Sequence, residues 1–274
     1  MNQVPTVASL FTRGGEFFLI AGPCALEDTR LHVQIAHELL AVQEMLGLPV
    51  IFKASFDKAN RRALTSPRGP GLDEGIKLFR ELKSVCPDLP ILTDIHEPYQ
   101  ASAVAEVCDV IQIPANLCRQ TDLLRAAAAT KRAVNLKKGQ WTGVQEMLGA
   151  VGKINKLPVP IAVTERGNFF GYGDLVVDMR NITRMQKAFR VPIIFDGTHS
   201  VQQPTRGDMG TSGGDREQIA PLVRAATAVG VNGLFLEVHP RPEQAPSDSA
   251  SMLRLCDLLP LMHDVMAVRR ALYG

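Results

Sequence analysis

Eight short apolar runs punctuate the chain, each closed by glycine, proline or polar residues: FFLIAGP, PVIFKAS, LPILTDI, VIQIPA, AVNLKK, IAVTERG, VPIIFDGTH and GLFLEVH. A strand with one face in water alternates apolar and polar residues. These runs are mostly apolar throughout, which is the pattern of parallel strands covered on both faces. Helical segments lie between them, among them LHVQIAHELLAVQEMLG, LDEGIKLFRELKSVC and REQIAPLVRAATAVG, and several stop at glycine, as at Gly47 and Gly230. Eight strand–helix units in 274 residues predict an α/β fold, a single-domain (β/α)8 TIM barrel spanning residues 17–274. Residues 1–16 precede the first strand and are expected to form a short N-terminal cap over the barrel bottom. The last segment, SMLRLCDLLPLMHDVMAVRRALYG, predicts a final helix with a kink or break at Pro260.

Charge and composition narrow the function. A formal net charge of +2 gives no reason to expect nucleic acid or a membrane surface as partner, so any cationic site has to be local. The N-terminus lacks a basic stretch followed by an apolar one, and no apolar run approaches the ~18 residues of a membrane span. The five cysteines, at 24, 86, 108, 118 and 256, are odd in number and form no C-x-x-C pair. A cytoplasmic protein without a disulfide framework is the expectation.

In a barrel of this kind the active site sits at the C-terminal ends of the strands. Here those ends carry the chemistry. The first ends at Cys24. The second leads into Lys53, Asp57, Lys58, Asn60 and Arg61, and the third into Asp94, His96 and Glu97. The fourth gives Gln112, the fifth Lys137, Lys138 and Gln140, and the sixth Glu165 and Arg166. The seventh gives Asp196 and His199, and the eighth Glu237 and His239. The predicted strand starts carry nothing comparable. Lys53, Lys58, Lys137, Lys138 and Arg166 are expected to converge on one mouth, with Arg61 nearby. Pairing with Asp57, Asp94, Glu97 or Glu165 explains any one of them. The set suits an anionic substrate with a phosphate or carboxylate. A Schiff-base lysine is the alternative chemistry for a barrel.

A closed barrel makes its first and last strands neighbours, so Cys24 and Glu237 are expected side by side, with His199 one strand further. Thiolate, imidazole and carboxylate suit a divalent transition metal. Taken singly, the cysteine reads as a small buried hydrophobe and the histidine as hydrogen-bonded structure. Asp248, in the loop after the eighth strand, either reaches the same spot or caps the last helix. The glycine-rich GDMGTSGGDRE after the seventh strand suits a phosphate cradle or a lid.

The segments FKASFDKANR, RGPGL, TDIHEP, IQIPA, CRQTDLL, NLKKGQ, TERG, FGYGDLVVDMR, FDGTHSVQ, SGGDRE and EVHPRPEQAPSD together resemble the 3-deoxy-D-manno-octulosonate-8-phosphate synthase family, from about Phe17 to the C-terminal helix. The resemblance implies a homotetrameric (β/α)8 barrel that condenses phosphoenolpyruvate with D-arabinose 5-phosphate and water, releasing phosphate, in the biosynthesis of a lipopolysaccharide core sugar. It assigns Lys58, Lys137 and Arg166 to phosphoenolpyruvate, with Lys53 and Gln140 beside them. Asn60 and Arg61 match the arabinose 5-phosphate loop, Asp94 a group near the sugar hydroxyls, and Arg119 an arginine reaching a neighbouring subunit's site. The implied catalytic set is Lys58, Lys137, Arg166, His199 and Asp94. One branch of the family carries Asn in place of Cys24 and works without metal. The other carries Cys and needs a divalent ion, and Cys24, His199, Glu237 and Asp248 match its ligands, with Zn, Fe, Mn or Co as the expected metal.

Three departures from the family pattern bear on specificity: Arg62 stands where the sugar-phosphate loop usually has serine, Asn116 where PAFL has phenylalanine, and WTGVQEM follows KKGQ. The rival readings are a related phosphoenolpyruvate synthase with another acceptor, such as erythrose 4-phosphate, and a non-catalytic binder that keeps the anion pocket.

Overall fold

The computed structural model describes residues 5–61, 63–204, 206 and 213–274. Arg62 and residues 207–212 of the glycine-rich stretch lie outside the described residues.

The eight apolar runs form strands β1 (Phe18–Gly22), β2 (Val50–Lys53), β3 (Ile91–Asp94), β4 (Val110–Ile113), β5 (Ala133–Lys137), β6 (Ile161–Glu165), β7 (Ile193–Asp196) and β8 (Gly233–His239). Each pairs in parallel with the next, and β8 pairs with β1 to close the ring, setting Gly22 opposite Glu237. Helices connect the strands, from α1 (Thr29–Leu46) after β1 to α2 (Leu72–Val85) and on to α7 (Ile219–Val229) before β8. The ends of α1 follow local chemistry. Asp28 caps its first turn by accepting from Leu31 N at 2.9 Å, and Gly47 ends it in the left-handed region at φ 61°.

Period-two geometry sends alternate residues of each strand outward and inward. Leu19, Ala21, Val50, Phe52, Ile111, Val134, Leu136, Val163, Phe195, Leu234 and Leu236 face the helices and form the main core. The inward row begins as a second, smaller core of Phe18, Ile20, Ile51, Leu92, Val110, Ala133, Ala162, Ile194 and Phe235, which Leu10 and Phe11 join. Phe11 stacks on Phe18 with ring centroids 5.5 Å apart, so the segment before β1 closes the end of the barrel where the strands start. Burying an aromatic ring there stabilises the barrel by roughly 1.5–3 kcal/mol.

The C-terminal segment departs from the sequence expectation. Its first residues are not helical: Leu253–Arg254 add a short parallel strand to β8, and a 3-10 turn at Leu255–Asp257 follows. The helix runs Leu258–Tyr273, and Pro260 falls in its first turn. There the missing N–H removes no helical hydrogen bond, so the helix is neither kinked nor broken. Asp248 is therefore ten residues before that helix rather than its cap, and it holds a left-handed backbone at φ 55°.

Candidate active site

Two residues beyond each apolar position, the inward row of the barrel turns polar. Ile51 is followed by Lys53, Leu92 by Asp94, Val110 by Gln112, Ala133 by Asn135 and Lys137, Ala162 by Thr164, Ile194 by Asp196, and Phe235 by Glu237, all buried. One strand period thus separates a hydrophobic floor from a polar wall. Asn135 donates to Gln112 Oε1 at 2.9 Å and accepts from Thr164 Oγ1 at 2.7 Å, which ties β4, β5 and β6 together at the boundary. Above it opens a cavity of about 420 Å³, lined among others by Lys53, Lys58, Asn60, Arg61, Asp94, Lys137, Gln140, Arg166, His199, Glu237 and Asp248.

On one side the predicted metal ligands meet. Ligand atoms of Cys24, Glu237 and Asp248 all lie within 4.8 Å of one another. The Cys24 thiol donates to Asp248 Oδ2 at 3.0 Å. His199 Nε2 stands 3.7 Å from Glu237 Oε1 and 4.0 Å from Asp248 Oδ2. Its other nitrogen, Nδ1, lies 2.7 Å from Asp196 Oδ2, the usual partner arrangement of a metal-binding imidazole. Glu237 Oε2 is buried with no hydrogen-bond partner. Thiol, imidazole and two carboxylates, one with a free oxygen, suit a divalent transition metal. Burial and the neighbouring Glu237 push the Cys24 thiol well above its ordinary range, so ligation there means displacing a proton.

Cations from three strand ends, those of β2, β5 and β6, line the rest of the wall. Lys53 donates to Glu237 Oε1 at 2.6 Å and to Cys24 O at 2.9 Å. Lys58 donates to Ser55 Oγ at 3.1 Å; burial opposes its charge, but Cys24, Glu237, Asp94 and Asp248 hold its ammonium well above the ordinary value. Lys137 pairs with Asp196 and sits 3.2 Å from the centroid of the Phe235 ring. Burial pulls its ammonium down to about 8 against the attraction of Asp196. For Asp196 burial works the other way, yet His199 and Lys137 keep it charged, below the usual carboxylate range. Asp94 is likewise held low, against burial, chiefly by His96, and it accepts from Ser55 Oγ.

Arg166 and Arg61 differ from the lysines: neither forms an ion pair among the described residues. Arg166 Nη2 donates to Gln202 Oε1 at 2.6 Å, while its Nη1 is buried without a partner. Arg61 donates to Ser247 Oγ at 2.6 Å and Pro246 O at 3.1 Å, and its Nε is also buried without a partner.

Other polar residues at the strand ends fall elsewhere. Lys138 was expected at the mouth but turns to the opposite face of β5's end. It pairs with Glu165 at 3.3 Å and donates to Gly139 O, Gly167 O and Asn168 Oδ1, because residues adjacent in a strand point opposite ways. Asp57 is bonded to Arg68 on the surface. His239 points to Glu27 at 3.4 Å, outside the cavity. Glu97 is exposed, and so is Arg119, whose carbonyl accepts from Lys153. Asn116, which replaces a phenylalanine, is an exposed part of the cavity rim. Three polar wall residues carried no sequence signal of their own: Ser55, Gln202 and Ser247. Each is a small or neutral side chain whose significance comes only from the charged groups it touches. Gln202 lies within the FDGTHSVQ segment and Ser247 within EVHPRPEQAPSD.

Residues 7–270 match the DAHP synthetase I family. The chain belongs to that family. Among curated relatives, the 2-dehydro-3-deoxyphosphooctonate aldolase of Fusobacterium nucleatum is 46% identical over 276 residues, covering 100% of this chain and 98% of that one. The protein of the same name from Nitratidesulfovibrio vulgaris is 49% identical over 268 residues, 97% of each chain. That of Rhodopseudomonas palustris strain HaA2 is 50% identical over 250 residues, covering 90% and 86%. The family match over residues 7–270 spans all eight strands, and with them every strand end that lines the cavity.

Proposed function

We propose that this protein condenses phosphoenolpyruvate with D-arabinose 5-phosphate and water, giving 3-deoxy-D-manno-octulosonate 8-phosphate and inorganic phosphate for lipopolysaccharide core sugar biosynthesis. The observation that carries this reading is that Arg166 and Arg61 both line one cavity, and each has a buried guanidinium nitrogen, Nη1 and Nε, without a hydrogen-bond partner among the described residues. A buried charged donor without an acceptor is costly, and an anionic ligand removes that cost. Two such sites in one chamber suit two phosphorylated substrates, and the names carried by the relatives describe a phosphorylated eight-carbon keto acid.

Arg166, Lys137 and Lys58 hold the phosphate and carboxylate of phosphoenolpyruvate, with Lys53 and Gln140 beside them. Asn60 and Arg61 hold the sugar phosphate, and Asp94 accepts from sugar hydroxyls. Positioned in this way, C3 of phosphoenolpyruvate forms a bond to the aldehyde carbon, whose oxygen takes a proton. Water adds at C2, and the hemiketal phosphate collapses: its C–O bond to phosphate breaks and the ketone forms. The cations favour each step by lying where negative charge gathers. Cys24, His199, Glu237 and Asp248 would hold a divalent ion (Zn, Fe, Mn or Co), which would supply Lewis acidity to the reaction. The enzyme is further proposed to act in the cytoplasm as a homotetramer in which the exposed Arg119 reaches a neighbouring site.

The test is phosphate release from phosphoenolpyruvate with a panel of aldose phosphates. Release that depends on arabinose 5-phosphate supports the reading. A higher kcat/KM with erythrose 4-phosphate reassigns the acceptor, and failure of every aldose to support release leaves an anion binder. Light scattering and an Arg119→Ala variant test the assembly.

A further inference from the structure

Besides the Cys24 thiol, which donates to its Oδ2 at 3.0 Å, Asp248 has one further partner on each oxygen, and each of those two leads to an arginine. Its Oδ1 accepts from Gln202 Nε2 at 2.7 Å, and Gln202 Oε1 accepts from Arg166 at 2.6 Å. Its Oδ2 accepts from Ser247 Oγ at 3.1 Å, and the same hydroxyl accepts from Arg61 at 2.6 Å. Both arginines line the cavity and have a buried nitrogen without a hydrogen-bond partner among the described residues. Asp248 is also the one candidate ligand held on a loop rather than at a strand end, with a left-handed backbone at φ 55°. Its carboxylate orientation therefore rests on these side-chain bonds more than on the barrel.

We propose that the chain Arg166–Gln202–Asp248–Ser247–Arg61 links the metal-binding carboxylate to both anion-binding arginines, with Gln202 and Ser247 as positioning residues, one for each substrate. The inference rests on the functional reading above. Gln202 suits its place because its amide has two ends: the oxygen meets a cation and the nitrogen meets a carboxylate. A reversed amide would set donor against donor at Arg166. Through Nη2, Gln202 fixes the plane of the Arg166 guanidinium in the cavity wall, and Nη1 keeps no partner among the described residues. Ser247 does the same with one hydroxyl, accepting from Arg61 and donating to Asp248. Both residues are largely buried in the cavity wall, where a polar group that loses its partner is costly.

The chain predicts a pattern that a merely structural role does not produce. Gln202→Met removes the link to Arg166, and Ser247→Ala the link to Arg61, while both loosen Asp248. Loss of an outer-shell partner lowers metal affinity about 10–100-fold, and both variants are expected to bind Co²⁺ at least about tenfold more weakly in chelator competition. KM is expected to split: Gln202→Met raises that for phosphoenolpyruvate about fivefold or more and leaves that for the sugar phosphate within about twofold, and Ser247→Ala does the reverse. Equal movement of both KM values, or native Co²⁺ affinity in either variant, overturns the chain. Ser247→Ala deletes one oxygen and keeps the test open should the longer substitution fail to fold. Native protein that binds phosphoenolpyruvate but no Co²⁺ overturns both the metal assignment and the chain. Native protein that turns over a different aldose phosphate overturns only the acceptor assignment, and the KM split is then read with that sugar.

Discussion

His199 Nδ1 lies 2.7 Å from Asp196 Oδ2, and that contact turns the other nitrogen of the ring towards Glu237 and Asp248. Asp196 also accepts from His199 N at 2.8 Å and pairs with Lys137, so one buried carboxylate fixes a candidate metal ligand and a candidate substrate cation together. Asp196→Asn is expected to lower metal affinity about 10–100-fold through the histidine, because a carboxamide is a weaker acceptor for the ring N–H. It is also expected to weaken phosphoenolpyruvate binding through Lys137. Chelator competition with Co²⁺ and calorimetric titration with phosphoenolpyruvate check the two effects in one variant.

Arg166→Ala leaves a bound anion without its guanidinium in a site shielded from water. A hydrogen bond to a charged group contributes about 1.5–3 kcal/mol, so kcat/KM is expected to fall at least about tenfold. Lys137→Ala is expected to do the same. Near-native values for both variants would make them structural charges.

Lys137 sets a pH limit. Burial holds its ammonium at about 8, below the ordinary 10.5. The charged form is the one that binds an anion, so phosphoenolpyruvate affinity is expected to fall as pH rises through about 8. For stability the sign is opposite. The unfolded chain keeps this proton up to the ordinary value, so the penalty of burying the charge is full below about 8 and fades as pH rises towards 10.5. Lys137→Arg, which stays charged, is expected to move the fall in affinity to higher pH. Calorimetric titrations from pH 7 to 10 distinguish the two proteins.

Gly22 ends β1 against the backbone of β2. A Cβ there would stand 2.0 Å from the Lys53 carbonyl oxygen, with no flexible side-chain tip to give way. Gly22→Ala is expected to force the strand ends apart and destabilise the fold by about 1–3 kcal/mol. It would displace Lys53 and Cys24 together, so activity is expected to fall with stability. Urea denaturation and phosphate release measure both.

The barrel was legible because strands covered on both faces carry their burial in the local sequence, and strand ends in such a fold converge. Cys24, Glu237 and His199 came together for that reason: Gly22 pairs with Glu237 in the closing β1–β8 ladder. What the sequence concealed follows from loops and side-chain direction. Lys138 and Lys137 are adjacent and alike in type, and only the parity of β5 sends one to the cavity and the other to Glu165. Gln202 and Ser247 are ordinary residues until Asp248 lies between them. Pro260 reads as a helix breaker until the helix is seen to start at Leu258.

Cys24 is buried beside Glu237 and Asp248, where both desolvation and negative charge keep its thiol protonated. A cation at this spot reverses that balance, since a thiolate next to a divalent ion and Lys53 is no longer an isolated buried anion. Metal binding is therefore expected to release a proton and to weaken as pH falls. Ions that accept thiolate and imidazole, such as Mn²⁺, Co²⁺, Fe²⁺ or Zn²⁺, are expected to restore activity to chelated protein where Mg²⁺ does not. Cys24→Ala removes the donor and is expected to lose both metal and turnover. Cys24→Asn replaces the thiol with a neutral amide, the side chain found in the metal-free branch, and is expected to retain part of the activity without metal. The measurement is turnover of protein chelated until metal analysis finds less than one ion per hundred chains. Full turnover in that state would return Cys24 to the core as a buried thiol bonded to Asp248.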